Sequence, residues 1–216
     1  MRILAIAIIV SLVSVTIISA QGEAPPAEWQ DEVARSIVRA ASQQGGSPAA
    51  AAMQVAEQAE EARSQRIAEL IRIIETPRFH EGGNGAHAAM QVLGEMRAEE
   101  AVEVLVRFIA FPYERHPEAQ ELYFDYLSLA EPETLATGLP PVRALVKIGL
   151  PSVGPVVRRY ANTEASFERI ACETVLRLLN EKYPIRSTVR AAVEREVEAQ
   201  DQDAVWDALE ESIFDE

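Results

Sequence analysis

The chain has 216 residues, 48% hydrophobic and 25% charged, and its 34 acidic against 20 basic side chains leave a formal net charge of −14. That mixture is globular rather than disordered, and the length suits one domain or at most two. A single cysteine excludes an internal disulfide framework and a cysteine-rich zinc site. The acidic surplus argues against general nucleic-acid binding, which needs Lys and Arg against phosphate.

Residues 1–20 stand apart. Arg2 supplies a positive start, residues 3–18 are apolar but for Ser11, Ser14 and Thr16, and Ser19-Ala20 offers a small residue at a cleavage position. This is the layout of a secretory signal peptide, with Gln21 the first residue after cleavage and an exported protein as the consequence. Ile18 at the −3 position is large for such a site, and an apolar run of about 18 residues also suffices for an uncleaved membrane anchor. Contact with a membrane is expected only in that second case.

Residues 21–27, with Pro25 and Pro26, read as a linker, and residues 28–84 as an N-terminal helical hairpin. Gly45-Gly46-Ser47-Pro48 ends one helix and starts the next, with Ser47 as cap and Pro48 in the first turn. The second helix, from Pro48 to about Glu75, is about 40 Å long at 1.5 Å per residue. Its apolar stripe is Ile67, Leu70, Ile71 and Ile74, at i, i+3, i+4 and i+7. Further stripes follow at Val102, Leu105, Val106 and Ile109, at Leu122, Tyr123 and Tyr126, at Phe167, Ile170, Ala171, Thr174, Val175 and Leu178, and at Val189, Ala192, Val193 and Val197. Each predicts an amphipathic helix. No strand alternation is convincing, so the fold class is all-α.

The helices repeat. Residues 92–108 align on 144–160 without a gap, at an offset of 52: Leu93 on Leu145, Met96 on Ile148, Ala101 on Val153, Val104 on Val156, Leu105 on Val157, Arg107 on Arg159 and Phe108 on Tyr160. A looser third unit follows 31 residues later, with residues 176–179 in the place of 145–148 and a second helix after Pro184. This pattern of aliphatic helix, short turn and second aliphatic helix resembles the HEAT repeat, and the 31-residue spacing is closer to the short HEAT-like units of phycobilin lyases. The resemblance implies a short, irregular α-solenoid over residues 85–200, with residues 112–137 as an insertion, and it carries no chromophore role to Cys172. One hairpin cannot bury its apolar face alone, so neighbours must stack. The alternative is an irregular helical bundle with a coincidental self-match. Residues 201–216 are expected to form an acidic capping helix and tail, with Asp201 or Asp203 at its start and Val205, Trp206, Leu209, Ile213 and Phe214 on its apolar side.

No residue pattern points to chemistry. His80, Glu81 and His87 lie around a glycine loop but lack the i, i+4 helical pair of a zinc protease. Gly82-Gly83-Asn84-Gly85 follows no strand and has no Lys-Ser after it, so a connector is favoured over a phosphate cradle. Cys172 has no local base and reads as a structural thiol. Glu95, Glu99, Glu100 and Glu103 read as a solvated face. Catalytic, metal and cofactor residues are therefore expected to be absent. Charge is more informative. Residues 138–190 carry nine basic and four acidic side chains, and residues 191–216 carry ten acidic and one basic. A basic module flanked by two acidic ones reads either as an ordinary mixed surface or, more sharply, as a surface open to an acidic partner or masked by the acidic C-terminus. Arg143, Lys147, Arg158 and Arg159 are the candidate partner-binding residues. The expected function is an exported, non-catalytic scaffold for a protein or peptide partner. A structural envelope protein anchored by its N-terminal helix, or less readily an enzyme subunit, is the alternative.

Overall fold

The computed structural model describes residues 48–77, 84–111 and 131–214, with side chains from residue 57 in the first stretch and from residue 85 in the second. The expected leader, linker and first helix of the N-terminal hairpin lie outside the described residues, as do Ser47, His80, Glu81, Gly82, Gly83, His116 and the 122–126 stripe. Among those described, all regular structure is helical and no strand occurs. Nine α-helices are present: α1 Pro48–Glu75, α2 Asn84–Glu95, α3 Val102–Arg107, α4 Pro132–Gly138, α5 Pro140–Ile148, α6 Val153–Asn162, α7 Ser166–Lys182, α8 Arg186–Glu196 and α9 Gln202–Ile213. Short 3-10 turns at Glu99–Ala101 and Leu150–Ser152 lead into α3 and α6.

The chain divides between Arg66 and Ile67, inside α1. On the N-terminal side the helix carries intrahelical polar pairs, Arg63 with Glu60 at 3.6 Å and Gln65 with Glu61 at 3.3 Å. From Ile67 onward the described residues share one hydrophobic core, which includes Ile67, Ile74, Met90, Leu93, Leu105, Leu145, Val157, Leu176, Leu179 and Leu209. The five aliphatics that align between repeats, Leu93, Leu105, Leu145, Val157 and Leu176, are all fully buried.

Prolines and one glycine place several boundaries. Pro132 and Pro140 open α4 and α5, where a missing N–H costs no helical bond. Leu139, directly before Pro140, is extended at φ −117°, as the residue before proline prefers. Helix α5 ends at Gly149, whose φ of +93° suits glycine far better than a side-chain-bearing residue. The equivalent turn after α2 is made by Arg97, at φ +47°, the one non-glycine residue with positive φ among those described. There the Ala98 N–H donates to the Leu93 carbonyl at 3.1 Å and the Arg97 N–H to Gly94 at 3.0 Å. That pairing is a Schellman end, which occupies two orphan carbonyls and turns the chain into the next helix.

Packing follows a definite order. Helix α2 packs on α5, and α5 packs on α7; α3 packs on α6, and α6 packs on α8. Helix α6 also meets its successor α7, and α9 lies on both α7 and α8. Helix α7 touches α4, α5, α6 and α9, so its buried residues form a broad band rather than a narrow stripe. The tightest approach is between α2 and α5. A Cβ added at Gly94 would sit 2.8 Å from the Ala144 Cα, so only hydrogen fits there.

A candidate partner-binding groove

The outer faces of α3 and α6 enclose an open groove of about 330 Å³. Glu103, Val106 and Arg107 line it from α3, at i, i+3 and i+4. Pro155, Arg158, Arg159 and Asn162 line it from α6, at i, i+3, i+4 and i+7. Buried Val106 and half-buried Pro155 are its apolar members, and three guanidiniums surround them. The helical period explains the assembly: the same turns that bury Val104, Leu105, Val156 and Val157 must present these residues on the opposite side.

Each arginine engages a carboxylate of a neighbouring helix. Arg107 reaches Glu75 of α1 at 3.0 Å. Arg158 bridges Glu103 of α3 at 2.5 Å and Glu196 of α8 at 3.5 Å. Arg159 donates to Glu168 of α7 at 2.5 Å, and the same carboxylate accepts from the Thr163 hydroxyl. The Nε of Arg159 is buried with no acceptor among the described residues. From α8, Arg195 crosses toward Gly154, one turn before Arg158; a Cβ at Gly154 would meet its Nη at 2.8 Å.

Of the four residues expected to bind a partner, Arg158 and Arg159 share this groove. Arg143 and Lys147 do not. They lie on α5, where Lys147 pairs with Glu95 of α2. That hydrogen bond holds the Glu95 carboxyl below its ordinary range, with Arg143 adding a smaller electrostatic pull. The α5 face is therefore separate from the groove. Of the other groove residues, Arg107 occupies the position of Arg159 one repeat earlier in the alignment, whereas Glu103 falls on Pro155 and reads in the sequence only as part of a solvated face.

His87 and Cys172 are not among the residues that line the groove. His87 is exposed on α2, and no group of three or more His, Cys, Asp or Glu side chains is placed to hold a metal ion among the described residues. Cys172 is fully buried, and that burial pushes its thiol up, away from the thiolate a nucleophile needs. Tyr160 is also buried on the α7 side of α6. Burial first, and then the Glu173 carboxylate, pushes its hydroxyl up to about 12. Glu173 is raised in turn by its own burial. No helix among the described residues is long and apolar enough to cross a membrane. Comparisons with protein-family models, curated proteins and solved structures find no match to this chain.

Proposed function

We propose that this protein is a non-catalytic scaffold, built as a short array of HEAT-like hairpins, that works in an exported compartment and holds a protein or peptide partner on its outer helical faces. The supporting observation is the packing order. Each first helix of a hairpin touches the first helix of the next, α2 to α5 to α7, and each second helix touches the next second helix, α3 to α6 to α8. Stacking in register is how a repeat buries a face it cannot cover alone. The matched turns add to this, since positive φ falls on Arg97 and Gly149, 52 residues apart, as in the alignment. On this reading α9 is the terminal cap and α4 belongs to the inserted segment.

The test is site-specific photo-crosslinking of the full chain in its native cells. Probes go at exposed Glu100, Asn162 and Thr188, beside or on α3, α6 and α8. Crosslinks from these three helices to one and the same protein, in the exported fraction, are the expected result. Absence of any protein crosslink from all three positions overturns the scaffold reading.

A further inference from the structure

We infer that the groove between α3 and α6 takes an acidic, extended segment of the partner protein, whose carboxylates replace Glu75 and Glu103 on Arg107 and Arg158. This rests on the scaffold reading above and names the chemistry of its partner.

Three observations carry it. The first is the arginine placement. Arg107 and Arg159 are repeat equivalents, and continuing the register of Val153, Val156 and Val157 onto Val189, Ala192 and Val193 puts Arg195 at the same position of α8. One arginine therefore recurs on each of three helices packed side by side. Packed helix axes lie about 8–10 Å apart, and a polyproline II segment, with three residues per turn and a rise of about 3.1 Å, brings every third side chain back to the same face about 9 Å further on, so carboxylates at that spacing match the helices.

The second is that the internal carboxylates which now occupy the arginines are exchangeable. The side chains of Glu103 and Arg158 are 68% and 43% exposed, and those of Glu75 and Arg107 are 42% and 59% exposed. Pairs this exposed contribute little to stability, so an incoming carboxylate displaces them at little cost. The Arg159 pair differs. Glu168 is 14% exposed and also bonded by Thr163, so it stays in place and holds Arg159 at the groove wall, which leaves Arg158, one residue earlier on α6, as the arginine that the ligand engages beside Arg107. The third is donor surplus. A guanidinium has five N–H groups, and the ion pairs above engage one nitrogen of Arg107 and two of Arg158. The buried Val106 and half-buried Pro155 give the peptide backbone an apolar floor between the charges.

The experiment is fluorescence anisotropy with a fluorescein-labelled, amidated decapeptide carrying Glu at every third position, and the same peptide with Gln in place of Glu. The full chain is expected to bind the Glu peptide, more tightly in 50 than in 300 mM salt (Debye lengths of about 14 and 6 Å), and to bind the Gln peptide about tenfold more weakly or not at all. The Arg107→Gln/Arg158→Gln double variant should weaken Glu-peptide binding about tenfold, whereas Arg143→Gln/Lys147→Gln on α5 should leave it unchanged. Glu103→Gln removes a competing internal carboxylate and should tighten binding about two- to fivefold, a gain that a damaged fold cannot produce. Equal binding of the two peptides, no binding of the Glu peptide, or weaker binding by Glu103→Gln overturns the groove assignment. A partner crosslinked as strongly by the Arg107→Gln/Arg158→Gln protein as by the wild type also overturns it and leaves the scaffold reading standing; loss of every crosslink in the wild type removes the scaffold reading itself.

Discussion

Glu95 of α2 and Lys147 of α5 stand 52 residues apart in the chain, at equivalent positions of two aligned hairpins, and their side chains form an ion pair. The pair marks the register of the two helices without setting it. Glu95 is more than half exposed, and an ion pair in such a place contributes about 0–1 kcal/mol. The register is set one residue earlier, at Gly94, where the α2 backbone lies against Ala144. Sterics at 2.8 Å outweigh a screened charge, and the two effects make different predictions.

The aliphatic core should dominate stability. Leu145 is fully buried where α5 meets α2, α3 and α7, and Leu145→Ala should cost roughly 2–5 kcal/mol by lost transfer energy and the cavity left behind. Leu93→Ala, at the equivalent position, should fall in the same range. Val92→Ala, one residue away and 40% exposed, should change stability by about 0.5 kcal/mol or less. Urea unfolding of the three variants checks the order, and a Val92 effect equal to that of Leu93 would contradict it.

Gly94→Ala tests the close approach directly. In an exposed helix the substitution would stabilise by roughly 0.5–1 kcal/mol, because alanine loses less backbone entropy on folding. Here the added methyl meets backbone rather than the end of a flexible side chain, so α2 and α5 must separate. Overpacking of this kind costs typically about 1–3 kcal/mol, and a net loss of stability is expected. Glu95→Gln should cost far less. A more stable Gly94→Ala protein, by thermal or urea melt, would show that the helices shift apart freely.

What could be read from the residues and what could not divide along physical lines. The stripes at 67–74, 102–109, 167–178 and 189–197 are local periodicities, and each has its apolar side in the core, although α3 and α8 end before Ile109 and Val197. Helix α4 is not evident from periodicity, because Leu135 and Ala136 are its only buried positions in seven residues and tertiary packing holds it. The charged sites follow the same division. That residues 138–190 are basic is a matter of counting, but the basic residues point to two places. Arg158 and Arg159 follow the outer face of α6, whereas Arg143 and Lys147 follow α5. Only the packing of α3 beside α6 brings Arg107 into the first group. Partner carboxylates such as Glu196 and Glu75 lie far away in the chain, so no local pattern announces them.

Alkaline pH should destabilise the protein through Tyr160. Its hydroxyl ionises at about 12 in the folded chain against 10.0 for an ordinary tyrosine, with burial the larger cause. The unfolded chain therefore loses this proton first, and stability falls as pH rises above about 10 toward 12. Glu173 acts in the same sense at lower pH. Its carboxyl is raised by burial, so stability falls as pH rises upward from 4.5, the ordinary value. Thermal melts from pH 9 to 11.5 should show the alkaline loss in the wild type, on the order of 2 kcal/mol when complete. Tyr160→Phe should flatten that part of the profile, and an identical slope in both proteins would assign the loss to other groups.

The last helix should matter through its apolar side more than through its charges. Trp206, Leu209 and Ile213 of α9 are buried where it packs on α7 and α8, with Trp206 9% exposed. Two arginines of α8 lie over its aromatic rings, Arg190 at 4.9 Å from Trp206 and Arg186 at 5.5 Å from Phe214, while Arg186 also pairs with Glu210. Trp206 and Phe214 stack with centroids 6.1 Å apart. Asp201 precedes the helix without a side-chain capping bond, so tertiary contacts rather than the cap hold it. Cation–π contacts contribute about 0.5–2 kcal/mol, against roughly 3–5 kcal/mol for truncating a buried tryptophan. Trp206→Ala should therefore lower the melting temperature more than Arg190→Ala, and deletion of residues 201–216 should lower it further and promote aggregation by uncovering the faces of α7 and α8. In a Trp29→Phe background, Trp206 emission should be blue-shifted in the full chain and move toward that of a solvated indole on mild denaturation. A truncated protein that melts at the wild-type temperature, with a solvated Trp206 in the intact chain, would rule out α9 as the cover of the last hairpin.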